Sequence, residues 1–100
     1  MKPIQDKAEV AIDFPEKFYV GSFTRDSKFE AQTENDGLLI KLMKPGDEKR
    51  RVEIHLHHHL LADILSGWAE SLARTPIEDK DHRKTLQDAL RKLQKAVSHR

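Results

Sequence analysis

One hundred residues carry 18 Lys plus Arg against 17 Asp plus Glu, a formal net charge of +1. That balance gives no global attraction to nucleic acid or to an anionic membrane surface. The absence of cysteine excludes disulfides, thiol catalysis and every zinc site built on thiolates.

The length fits one small α+β domain over residues 1–100, with residues 1–7 and 98–100 expected to fray. The opening MKPIQDKAEVAIDF lacks the apolar segment of a secretory signal, and no apolar run approaches membrane-spanning length. A cytoplasmic protein without membrane contact is therefore expected.

In chain order, Ala8–Ile12 is a weak strand candidate ahead of Pro15. Period-2 patterns are clearer at Phe18–Phe23, Lys28–Thr33, Leu38–Met43 and Arg51–Leu56. For the hairpin 33-TENDGL-38, a loop of Glu34–Gly37 places Phe29 opposite Leu42, Ala31 opposite Ile40 and Glu30 opposite Lys41. A loop one residue shorter would set Glu30 against Leu42, so the first register gives one apolar and one charge-matched face. The next turn falls in 44-KPGDEK-49, where Pro45 and Gly46 break the pattern. Aligning Leu42 with Val52 brings Ile40 to Ile54 and Leu38 to Leu56, and puts Lys41 between Glu30 and Glu53. Leu39 and Met43 then point to the other face, where Tyr19 and Phe23 join them if Phe18 and Val20 face the core. These four residues form the expected interaction surface.

From about His58 the period becomes helical, with Leu61, Ile64, Leu65, Trp68 and Leu72 on one stripe. The connection 74-RTPIED-79 offers two helix starts. Thr75, Pro76 and Glu78 match a capping box, whereas the stripe Leu86, Leu90, Leu93 and Val97 favours a start nearer Asp79 with Ile77 closing the joint. The 4-3-4 spacing of that stripe is the pattern of a coiled-coil seam. Two heptads are too short to hold a dimer unaided, however, and packing on the domain's own sheet is the preferred reading. Strands followed by helices predict an α+β fold: an antiparallel four-stranded meander, ββββαα, with two C-terminal helices packed on one face.

The one chemical signature is 55-HLHHH-59. Because its leucines complete both the strand and the helix patterns, it belongs to the fold and is no appended tag. His55 and His57, at i and i+2 on a strand, share a face and can converge on one ion. His59 and Asp63, at i and i+4 on the helix, form a second pair that the strand-to-helix bend separates from the first. His55, His57, His59 and Asp63 are thus the candidate ligands for zinc or another divalent transition metal. No other cofactor is expected.

No phosphate loop, nucleophile elbow or H-E-x-x-H occurs, so no enzyme is expected. Strand Arg51–His57 followed by two helices resembles a ribbon-helix-helix DNA-binding module. That resemblance implies Arg51, Glu53, His55 and His57 in a major groove. Glu53 near phosphate and the small net charge oppose it, so nucleic acid is not the expected partner. The expected function is a non-enzymatic protein–protein interaction module, a homodimer or a partner of another protein.

Overall fold

The computed structural model describes residues 1–46 and 50–99. Its elements are β1 (Lys2–Pro3), β2 (Ala8–Asp13), β3 (Phe18–Phe23), β4 (Lys28–Glu34), β5 (Gly37–Met43), β6 (Arg51–His57), α1 (His58–Arg74) and α2 (Lys80–Ser98). They form an α+β fold with a four-stranded antiparallel sheet of order β1-β4-β5-β6, a two-stranded β2-β3 ribbon and two C-terminal helices. The chain divides into two compact units, Met1–Asp63 and Ile64–Arg100.

In the first unit, the registers of β4-β5-β6 are those expected from the sequence. Phe29, Leu42 and Val52 align across the sheet, as do Ala31, Ile40 and Ile54, and Thr33, Leu38 and Leu56. The alternate rows carry charge: Glu30, Lys41 and Glu53 are in register, with Lys41 Nζ 3.5 Å from Glu53 Oε1. The first turn is tighter than the expected loop. Glu34 and Gly37 still pair, leaving only Asn35 and Asp36 to connect the strands. The second expected turn, at Lys44–Lys49, lies partly outside the described residues; Gly46 there has a φ of 85°, a left-handed conformation suited to glycine.

Membership of the sheet differs from expectation. Phe18–Phe23 is not its first strand, because it pairs along its whole length with Ala8–Asp13. The turn between them is closed by Phe14 and Lys17, whose backbone N–H groups and carbonyls bond reciprocally at 2.8 and 3.2 Å. Pro15 holds the φ that the second residue of such a turn requires. The local hairpin closes a short loop and so costs little entropy, and the weak strand candidate before Pro15 thereby becomes a full partner. The sheet's remaining edge is taken by Lys2 and Pro3, which pair with Phe29 and Lys28. Within residues 1–7, Ile4 N–H also donates to the Ser27 carbonyl at 3.0 Å, and Ile4 is buried.

Among the described residues, full burial is confined to Ile4, Phe23, Ser27 and Gly37. Asp26 braces the β3–β4 turn beside them, accepting from Thr24 Oγ1 and Ser27 Oγ at 3.1 Å and reaching Lys44 Nζ at 3.3 Å. These partners favour its ionised form and hold its pKa below the ordinary 3.8, the Ser27 hydroxyl contributing most, then Lys44 and Thr24.

In the second unit, α2 starts at Lys80 with Asp79 as its cap: Asp79 Oδ1 accepts from His82 N–H at 2.9 Å. This settles the helix start in favour of the later of the two sequence signals. The same bond lowers the Asp79 pKa. Ile77 is half-buried and lines the joint with Trp68, Leu72, Leu86 and Leu90. At the far end His99 N–H closes on the Ala96 carbonyl at 3.3 Å. Arg100 lies outside the described residues, and with it part of the expected fraying at 98–100.

Candidate functional sites: a histidine cluster and an apolar helical face

The strand period sends His55 and His57 to the face of β6 opposite Val52, Ile54 and Leu56. Their rings are tilted by 38° with centroids 4.8 Å apart. Between them and the β4–β5 turn sits Asp36. His55 Nε2 lies 3.1 Å from Asp36 Oδ1, and His57 Nδ1 lies 3.4 Å from Asp36 Oδ2. One ligand atom from each of the three residues falls within 4.8 Å of the other two.

Two backbone features put Asp36 there. Gly37 pairs directly with His57, and a Cβ on Gly37 would collide with the Leu56 carbonyl and the His57 Cα. Glycine is what allows the turn to lie this close to β6. The Asp36 carbonyl then accepts from His58 N–H at 3.0 Å, tying the turn to the first residue of α1. An orphan N–H of the helix end is satisfied by the same bond.

Asp36 was not among the residues singled out from the sequence, although a signal existed. Extending the paired register by one step beyond Leu38 and Leu56 sets Gly37 against His57, with Asp36 next to it. Of the four expected ligands, His55 and His57 come together around Asp36. His59 and Asp63 lie exposed on α1, and neither belongs to the cluster. Glu53 is engaged elsewhere, with Lys41 and with Arg51 Nη2 at 3.9 Å.

Of the expected interaction surface, Tyr19 and Phe23 line one groove from β3, and Leu39 and Met43 lie half-buried on β5. Phe23 is 2% exposed, whereas Phe18 and Val20, whose facing the core was the condition for that surface, are exposed. Tyr19 is exposed on β3, in register with Ile12. It lines a groove of about 420 Å³ with Val10, Ile12, Phe14 and Val52.

A more continuous apolar face lies on the helical unit. Neither helix has a fully buried residue. Leu65 and Trp68 on α1, and Leu90, Leu93 and Val97 on α2, are between 37% and 75% exposed. Together with Ala69 and Leu72 they line an open groove of about 390 Å³ between the two helices. Leu61, Leu65, Trp68 and Leu72 repeat the 4-3-4 spacing of Leu86, Leu90, Leu93 and Val97, so each helix carries a bundle-type seam. The chain matches no known protein family, no curated protein and no solved structure.

Proposed function

We propose that the protein is a small, non-enzymatic interaction module that self-associates through its helical hairpin. The carrying observation is the open groove in which Leu65, Trp68, Leu90, Leu93 and Val97 stay exposed. A helical pair of fewer than about 40 residues does not stabilise itself without disulfides, metals or association, and cysteine is absent. Pairing two such hairpins about a two-fold axis gives a four-helix arrangement that covers both seams of each copy.

Charge supports a second copy as the occupant. On α2, Gln87 and Gln94 border the stripe on one side and Ala89 and Ala96 on the other. The charged Lys84, Asp88, Arg91 and Lys95 fall on the opposite side of the helix. Arg83 borders the stripe at its N-terminal end, lining the joint beside Leu86 and Leu90 and donating to the Glu78 carbonyl at 3.3 Å. The uncharged approach between two copies is therefore along the Leu90, Leu93 and Val97 part of the seam. With Ile64 included, the six exposed side chains offer on the order of 600 Å² per copy, so pairing would bury about twice that, at the lower end of stable interfaces. Among the described residues no helix is long and apolar enough to cross a membrane. The absence of cysteine is compatible with a reducing, cytoplasmic setting.

The test is light-scattering chromatography of the wild type beside a Leu90→Asp/Leu93→Asp variant, each with EDTA. The wild type is expected at twice the chain mass, and the variant at the single-chain mass with its strand content retained by circular dichroism. A wild type that elutes as a monomer would mean that the hairpin is covered within its own chain, and would overturn the proposal.

A further inference from the structure

Independently of the helical face, we propose that Asp36, His55 and His57 bind a divalent transition-metal ion, with zinc the reference case. Two imidazoles and one carboxylate are a donor set that suits zinc, copper and nickel, whereas magnesium and calcium favour oxygen alone. Each imidazole already faces its own Asp36 oxygen, His55 Nε2 at 3.1 Å from Oδ1 and His57 Nδ1 at 3.4 Å from Oδ2. In a tetrahedral zinc site with bonds of about 2.0–2.1 Å, neighbouring ligand atoms are separated by roughly 3.4 Å. The three ligand atoms, all within 4.8 Å of one another, therefore need only small side-chain rotations to reach that spacing.

The backbone supplies the precision that exposed side chains lack. His55 and His57 are fixed two residues apart on a paired strand, opposite Leu39 and Gly37. Asp36 is held from the other side by the bond from its carbonyl to His58 N–H. A bound ion would link the β4–β5 turn to β6 and leave a fourth position for water.

The side chains are 40%, 64% and 56% exposed for His55, His57 and Asp36. Such a site does not exclude water, and it acts as a clip on the fold with no reaction performed on the ion. By contrast, the acidic group at Asp26 is already engaged by Lys44 and two hydroxyls, and His59 with Asp63 gains no third donor among the described residues.

Calorimetric titration of the full chain with zinc chloride tests this. The expectation is one ion per chain with a dissociation constant on the order of micromolar. Zinc should also raise the melting temperature, and EDTA should reverse the rise. Asp36→Asn and His57→Gln should each weaken binding at least tenfold, and His59→Gln should leave it unchanged.

Absence of any heat or melting response up to about 100 µM zinc would overturn the proposal. Binding that survives both Asp36→Asn and His57→Gln, or is lost with His59→Gln, would do the same. X-ray absorption of the wild-type zinc complex gives a reading that needs no variant: two imidazoles in the coordination shell support the site, and fewer than two refute it. The stoichiometry is expected per chain, so failure of self-association leaves this result standing.

Discussion

Gly37 shows how one residue can set both a register and a site. Its missing Cβ lets the turn lie against Leu56 and His57, and that approach carries Asp36 to the two imidazoles. Gly37→Ala should therefore force the turn away from β6. The expected loss is roughly 1–3 kcal/mol, the range for overpacking a fitted contact, and urea unfolding measures it.

Two carboxylates define the acid response at the same scale. Asp26 and Asp79 both have pKa values lowered in the fold, by the Ser27 hydroxyl, Lys44 and Thr24 in one case and by the His82 N–H in the other. A lowered folded value means that the unfolded chain binds more protons in this range. The contribution to stability is present above the ordinary aspartate value and fades as pH falls through the folded one. The double variant Asp26→Asn/Asp79→Asn should be less stable than wild type at neutral pH. Its melting temperature should also fall less steeply between pH of about 5 and about 2. Parallel acid profiles for the two proteins would contradict these assignments.

Elements differ in how much of their placement is local. The β4-β5-β6 registers were legible because each rests on a short connection and on a face that a one-residue slip would spoil. Glu30, Lys41 and Glu53 reinforce that choice on the opposite face. Lys41→Glu would set three carboxylates in one row, and a destabilisation of about 1 kcal/mol is expected from the like-charge pairs. Urea titration at low salt would show it, and added salt should reduce it. Phe18–Phe23 was legible as a strand but not as to partner, since a period of two identifies faces and says nothing about which neighbour supplies the hydrogen bonds. The ribbon with Ala8–Asp13 depended on a turn at Pro15, which was visible, and on a β2 sequence, AEVAID, whose alternation is interrupted at Ala11, which concealed it. The start of α2 was ambiguous for a related reason. Both Thr75 and Asp79 are good caps, and only the hydrogen bond to His82 N–H distinguishes them. Asp36 escaped notice because turn residues carry no period, and its position emerges only when two hairpin registers are read together.

At the scale of the whole molecule, the histidine cluster and the helical face draw on separate parts of the sequence. The cluster lies in the unit Met1–Asp63, and the exposed seam in the unit Ile64–Arg100. Zinc should therefore stabilise the first without changing the association of the second. On the proposed self-association stability depends on concentration, so the melting temperature should rise with protein concentration, as mass action requires. The four histidines that dominate the sequence by eye divide accordingly: two face Asp36, one ties its backbone to the turn, and one stands exposed on the helix. The leucine stripes, less conspicuous, carry the larger surface. Sedimentation equilibrium of the wild-type chain in EDTA, from about 1 to 100 µM, tests the central claim most directly. The account predicts a mass that approaches twice that of one chain as concentration rises, and a single-chain mass across the whole range would contradict it.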